Sequence, residues 1–258
     1  DFSQFAREAK IIVVDIDKSE IEKYSTFYTE THIQSCDTFL ENIINFEAIE
    51  PKDDWIDYCN NLKEKYPSYN ITNGDPNGYN ISDYMTFIID HYDNLPDVVC
   101  FVKGNTIGRH VSKEVFDRLI NNKCFTPIED WKSHDPNQQA LLNGYAMISC
   151  DGGWMETNDS WYLNHPKHPT KYFKNYNDFL RFCFKDPILP KYVRFPPGGN
   201  FVVPKEYILK YDKIFYQNLR TFTRHTRVSG EGQMIERALF TIWIGNFEVA
   251  NTMRELVC

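Results

Sequence analysis

Two aspartates near the amino terminus have the spacing of a cation-binding pair. Residues 10–15 form a β-branched apolar run that predicts a first buried strand, and this strand ends in Asp15-Ile16-Asp17. Carboxylate oxygens are the ligands that Mg²⁺ and Mn²⁺ prefer, and acids at a strand end also suit the ribose or base of a nucleotide. We therefore expect Asp15 and Asp17 to contact a ligand, with Asp17 as the candidate ligand of a divalent cation. The alternative is that Asp15 and Asp17 face solvent at the end of the strand and bind no ligand.

Basic side chains offer a second way to hold an anion. Arg220, Arg224, His225 and Arg227 occupy one late segment before Gly230. Because an arginine fork binds two phosphate oxygens at once, such a segment would neutralise a diphosphate leaving group without a metal ion. A solvated charged face is the alternative. Lys103, Asn105 and Arg109 follow a predicted central strand, described below, and are also candidates for binding phosphate. The predicted phosphate-binding residues are therefore Lys103, Asn105, Arg109, Arg224 and Arg227.

Two further acids are candidates for a general base, which takes the proton from an attacking hydroxyl group. Asp151 follows a predicted strand at residues 145–150 and precedes two glycines. Glu236 stands beside Arg237 in a predicted helix at residues 231–243, where a buried salt bridge between the two is the alternative role. The sequence does not decide between Asp151 and Glu236.

Two glycine-containing turns, each joined to a predicted strand, indicate a saccharide-lined cleft. Glycine lets the backbone approach a ligand closely, and an aromatic ring can stack on a sugar face. Plain tight turns are the alternative. The predicted acceptor-binding residues are Gly152, Gly153, Trp154, Gly198, Gly199 and Asn200.

The elements that must position these residues indicate an α/β fold. One helix is predicted from apolar residues that recur every three or four positions. It is followed by Asp93-Asn94-Leu95-Pro96 and then by a short buried central strand at residues 98–102. Ligands of open α/β sheets collect where strands end, here at residues 103–105. The helix-forming apolar residues are Ile81, Tyr84, Met85, Ile88 and Ile89.

Further helices are predicted at residues 112–121, 176–184 and 205–219. The prediction is one domain over residues 1–258, with a mixed, mostly parallel sheet and helices on both faces. No internal repeat or linker composition divides the chain.

Composition, apolar run lengths and missing motifs argue against several classes of function. A hydrophobic content of 42% in 258 residues supports a real core, and a net charge of −8 argues against a duplex nucleic-acid binder. No apolar run approaches the roughly 18–20 residues that a membrane span needs. Seven scattered cysteines without a Cys-x-x-Cys pair predict a reducing, cytoplasmic setting. The motifs of serine hydrolases, P-loop kinases and dinucleotide oxidoreductases are absent.

Several of these stretches also resemble a known family. The signature of a widespread family known only as a domain of unknown function is similar to residues 78–105, to residues 196–204 and to the segment Ile235-Glu236-Arg237. That family resembles, in turn, nucleotide-sugar glycosyltransferases of the type A fold. Some of these are encoded by large DNA viruses such as algal viruses, and the location would then be the host cytoplasm.

The resemblance implies a nucleoside diphosphate sugar donor and a glycan acceptor, joined by an inverting transfer. It places the nucleotide-binding half at about residues 1–110 and the acceptor-binding half at about 111–258. Type A enzymes usually carry their metal-binding acid pair after a later strand. No acid pair follows the strand at residues 98–102, so the dependence on Mn²⁺ or Mg²⁺ is left open.

Two other functions remain open from the sequence. A glycoside hydrolase would use Asp151 and Glu236 as its two carboxylates. A non-catalytic glycan-binding module would use stacking aromatics, and its candidates are Trp154, Trp161 and Tyr162.

Overall fold

The computed structural model describes residues 10–14, 64, 77–104, 106–129, 145–148, 154–155, 168–190, 192–196 and 198–257. The predicted strand at residues 10–15 is present as β1 (Lys10–Val14), and the predicted central strand as β2 (Val98–Lys103). The predicted amphipathic helix is α1 (Tyr79–His91), with its five predicted apolar residues buried. Hydrophobic periodicity was therefore a sufficient signal for these three elements.

The main sheet has the order β1-β2-β7-β3, where β3 is Thr126–Pro127 and β7 is Phe201–Pro204. Strands β1 and β2 are parallel, with Val14 opposite Lys103. Strand β7 lies antiparallel to both β2 and β3. Consequently β1, β2 and β3 all point toward one edge of the sheet, which we call the carboxyl edge, and β7 begins there.

A second, three-stranded sheet is antiparallel and has the order β5-β4-β6. Its strands are β4 (Tyr145–Ile148), β5 (Trp154–Met155) and β6 (Tyr192–Arg194). The fold is thus a mixture of helix and strand, as predicted. The mostly parallel sheet is not shown, because β1–β2 is the one parallel pair among the described strands. The physical reason is that β7 enters between β2 and β3 from the opposite direction.

Helices cover both faces of the main sheet. Alternate residues of β2 face two separate apolar clusters, with Phe101 in one and Val102 in the other. The larger cluster is formed with α1 and three later helices, α4 (Tyr176–Cys183), α6 (Lys213–Thr223) and α7 (Gly230–Ile244). The smaller is formed with α3 (Lys113–Leu119), which follows the short, kinked α2 (Thr106–Arg109). Helices on both faces were predicted.

One predicted helix is wrong in its extent. Residues 205–219 form two helices, α5 (Lys205–Ile208) and α6, rather than one. The chain turns between them because Lys210 Nζ bonds to Trp243 O at 2.7 Å and Tyr211 Oη bonds to Ile242 O at 2.9 Å, both near the end of α7. Short 3₁₀ helices are Tyr92–Asn94 and Asn251–Met253. No helix in the described ranges is long and apolar enough to cross a membrane.

Candidate functional site

The carboxyl edge of the main sheet is closed by a turn at residues 198–200, which we call the glycine turn. Gly198 has φ 84° and Gly199 has φ 67°, in the left-handed region that favours glycine. Asn200 is fully buried, and its Oδ1 accepts hydrogen bonds from Lys103 N at 2.9 Å and Thr106 Oγ1 at 2.7 Å. The turn therefore fastens the start of β7 to the end of β2.

Helices α1 and α7 both form hydrogen bonds to the glycine turn. Asn80 Nδ2, in the first turn of α1, donates to Gly198 O at 3.1 Å. Gly198 N donates to Glu236 Oε1, on α7, at 3.3 Å. A Cβ on Gly198 would lie 2.9 Å from His110 Nε2, and one on Gly199 would lie 3.3 Å from Glu236 Cγ. The two glycines are thus required both by their φ angles and by the close approach of these neighbours.

Glu236 and Arg237 form a buried ion pair. Their side chains are 6% and 4% exposed, and Arg237 Nη1 lies 3.2 Å from Glu236 Oε1. Arg237 Nη1 also donates to Gln233 Oε1 at 2.9 Å, and its guanidinium stacks 4.6 Å from the ring centre of Phe195. The salt bridge that the sequence left as an alternative role for Glu236 is therefore present.

Tyr84 belongs to the same polar cluster. Burial raises the pKa of Tyr84 well above its usual value, and the nearby charge of Glu236 raises it further. Asn80 and Ser82 are both fully buried. Although Asn80-Ile81-Ser82 has the form of a glycosylation sequon, a glycan has no access to it.

The basic stretch at residues 224–228, which we call the arginine segment, lies against the start of α1. Gly78 N lies 3.1 Å from both Thr226 O and Arg227 O. Arg224 and Arg227 are exposed, whereas Arg220 is half-buried and donates to Thr86 Oγ1 on α1 at 3.4 Å. The structure therefore brings Arg224 and Arg227 to the end of α1 whose Asn80 holds the glycine turn.

A carboxylate that the sequence analysis missed lies beside the arginine segment. Glu231 is fully buried in the first turn of α7, and its Oε1 accepts from Lys171 N and Tyr172 N at 2.7 Å each. Its Oε2 lies 2.7 Å from His225 Nε2. The signal in the sequence is an acid near the predicted start of a helix, where acids satisfy backbone N–H groups.

Glu129 is a second missed acid. It is 3% exposed and follows β3 at the carboxyl edge, where Ile128 N donates to Asn200 O at 2.9 Å. Hydrophobic patterns do not predict β3 or the acid that follows it, because a two-residue strand has no periodicity to detect.

Several predicted site residues lie outside the described residues: Asp15, Asp17, Asn105, Asp151, Gly152 and Gly153. Arg109 and Trp154 are placed by their backbone, at the end of α2 and the start of β5. In the described part of the chain, no three His, Cys, Asp or Glu side chains lie together as a metal site would require. The structure joins Lys103, Gly198, Gly199, Asn200 and Glu236 at the glycine turn, and it places Arg224 and Arg227 in the segment that contacts the start of α1.

Comparison with known proteins gives one match. Residues 51–258 match a family model described as "Protein of unknown function (DUF3431)". No curated protein matches the chain, and no solved structure does. The matched region includes the glycine turn, the arginine segment and α7, whereas Asp15 and Asp17 precede it.

Proposed function

The chain belongs to the DUF3431 family of proteins of unknown function, and we propose that it is a glycosyltransferase that moves a sugar from a nucleoside diphosphate sugar to a hydroxyl group of a glycan. One observation carries this proposal. The arginine segment contacts the start of α1, and the first turn of α1 contacts the glycine turn, which lies at the carboxyl edge of the parallel strands β1 and β2. That edge is where α/β sheets bind their ligands.

The donor diphosphate lies against the arginine segment in this proposal. Arg224 and Arg227 are exposed, and the arginine fork is the side chain best suited to binding two phosphate oxygens at once. The amino-terminal end of α1 adds a favourable dipole for an anion. As the sugar leaves, these charges stabilise the negative charge that develops on the diphosphate.

The nucleoside and any cation take the neighbouring positions. Val14 pairs with Lys103, so Asp15 is the residue that follows β1 at the carboxyl edge. Asp15 contacts the nucleoside in this proposal, and Asp17 holds Mn²⁺ or Mg²⁺ if a cation takes part. Lys103, Asn105 and Arg109 complete the donor side.

The transfer requires one carboxylate base. The acceptor oxygen attacks the anomeric carbon, the bond from that carbon to the diphosphate oxygen breaks, and the electron pair leaves with the nucleoside diphosphate. We assign the hydroxyl proton to Asp151. Glu236 already accepts from Gly198 N and pairs with Arg237, which supports a positioning role for it.

The acceptor lies over Gly152, Gly153 and Trp154. Gly198, Gly199 and Asn200 are buried, so in this proposal they shape the floor of the acceptor site rather than reach the glycan with side chains.

A thermal-shift screen against UDP, GDP and their sugar conjugates, with and without Mn²⁺ or Mg²⁺, tests the donor. A ligand at 100 times its Kd stabilises the fold by about 2.7 kcal/mol, which is readily measured. Asp151→Asn should still bind the donor but lose transfer by about 100-fold or more. Absence of any nucleotide effect on the native chain would reject the transferase.

A further inference from the structure

Glu231 is a buried carboxylate that joins three parts of the chain. Its Oε1 accepts from Lys171 N and Tyr172 N at 2.7 Å and from Phe173 N at 3.4 Å. A buried carboxylate is tolerated only where hydrogen bonds replace its water. One oxygen is therefore occupied by the backbone of residues 171–173.

The other oxygen of Glu231 meets His225. His225 Nε2 lies 2.7 Å from Glu231 Oε2, which is a hydrogen-bonding distance. The side chains are 11% and 0% exposed, so water competes little for this bond. The imidazole also packs edge-on against the Tyr172 ring, with 5.9 Å between ring centres.

The parts that Glu231 joins are themselves fastened together. Gly230 N donates to Pro169 O at 2.9 Å, and a Cβ on Gly230 would clash with Thr170 Cγ2. Residues 168–173 and the start of α7 thus form a fixed support. His225 is the residue through which the arginine segment is attached to Glu231.

His225 stands between the two arginines that the proposed function assigns to phosphate. The arginine segment connects the end of α6 to the start of α7 and has no helix or strand of its own. In such a connection, one anchored side chain limits the conformations of its neighbours. Phosphate binding then costs less conformational entropy than it would for a loose segment.

We propose that Glu231 and His225 form a latch that positions Arg224 and Arg227 for the donor diphosphate. This inference rests on the proposed function for the identity of the ligand. Both latch residues act through the arginines, so they are positioning residues rather than catalytic ones.

His225→Ala tests the latch, with inorganic pyrophosphate and UDP as calorimetric probes. We expect Kd to rise about tenfold for both probes, because the segment must be ordered on binding. His225→Gln keeps an N–H donor of similar reach, and it should restore a Kd close to that of the native chain. His91→Ala, at the other end of α1, is the matched control and should bind as the native chain does.

Amide hydrogen exchange of residues 224–228, without ligand, gives an independent measurement. The latch predicts faster exchange there in His225→Ala and native-like exchange in His225→Gln. Native exchange in His225→Ala, or an unchanged Kd while the native chain binds both probes, would overturn the latch and leave the transferase standing. If the native chain bound no nucleotide but His225→Ala exchanged faster, the transferase would fail, and with it the latch's role toward phosphate.

Discussion

The two halves of helix α7 differ in the polar side chains that they bury. Residues 230–237 bury Glu231, Gln233, Glu236 and Arg237 beside the apolar Met234 and Ile235, whereas the buried side chains of residues 238–244 are all apolar: Ala238, Leu239, Ile242 and Trp243. The polar half reaches the glycine turn and the arginine segment, and the apolar half packs on the body of the main sheet. Buried ion pairs are weak contributors to net stability, so the polar half is better explained by what it positions.

The largest expected effect belongs to the apolar half. Trp243 is fully buried, stacks on Phe101 with ring centres 5.7 Å apart and meets Phe201 edge-on at 5.2 Å. Trp243→Ala should lower the free energy of unfolding by about 3–5 kcal/mol, because it leaves a cavity in the core. Urea unfolding measures this loss. A loss below about 1 kcal/mol would mean that the apolar half is not the part that stabilises the fold.

The second-largest loss of stability is expected when the ion pair in the polar half of α7 is broken. Glu236→Ala removes the acidic partner of the buried Arg237, and we expect a loss of about 3 kcal/mol in urea unfolding. Glu236→Gln retains an acceptor for Gly198 N, so its loss should be about half as large. Equal losses in the two variants would show that the hydrogen bond to the glycine turn contributes nothing.

Two buried asparagines, one at the glycine turn and one on α6, allow a direct comparison between the site and the rest of the protein. Asn200→Ala removes the acceptor for Lys103 N and Thr106 Oγ1, and Asn218→Ala removes contacts to Met253 O, Glu255 O and Val257 N. Each should cost about 2 kcal/mol of stability.

UDP affinity should separate the two variants. UDP should bind more weakly to Asn200→Ala, because Asn200 belongs to the glycine turn at the carboxyl edge. UDP should bind to Asn218→Ala as it does to the native chain, because Asn218 contacts the carboxyl-terminal segment instead. A native UDP affinity in Asn200→Ala would place the donor away from that edge.

The smallest expected effect is a loss of stability in alkali, and it arises in the body of the sheet. Burial raises the pKa of the Cys100 thiol on β2 to about 12. The unfolded chain loses this proton at the ordinary thiol pKa, so the stabilisation is complete below that pKa and declines as pH rises toward 12. Between pH 7 and 9.5 unfolding should become easier by about 1 kcal/mol. Cys100→Ala should reduce the alkaline loss by about that amount, whereas the buried Cys183, whose pKa is also raised, keeps its own contribution. An unchanged alkaline loss in Cys100→Ala would contradict this assignment.

The sequence predicted those parts of the site that depend on local chemistry. Gly198 and Gly199 have the φ angles that only glycine adopts readily. Glu236 forms an ion pair with Arg237, the next residue in the sequence, as its position suggested. The helix and strand that precede the site follow from apolar periodicity.

The contacts that assemble the site were beyond local sequence patterns. Asn80 and Gly198 are 118 residues apart, and Glu231 and Lys171 are 60 apart. Hydrophobic periodicity gives neither these pairings nor the direction of β7, because it reports which face of an element is buried and not which element lies against it. Glu129 was missed because the strand before it has two residues and therefore no periodicity.

Titration calorimetry of the native chain with UDP- and GDP-sugars, with and without Mn²⁺, tests the central claim most directly. The comparison is with the double variant Arg224→Ala/Arg227→Ala, and Arg181→Ala is the matched control, since Arg181 is an exposed arginine on α4 paired with Asp178. We predict saturable binding of one nucleotide sugar by the native chain and the control. The double variant should bind at least about 100-fold more weakly, from two charge-assisted phosphate contacts of about 1.4 kcal/mol or more each. Equal binding by the double variant, or none by the native chain, would contradict the account.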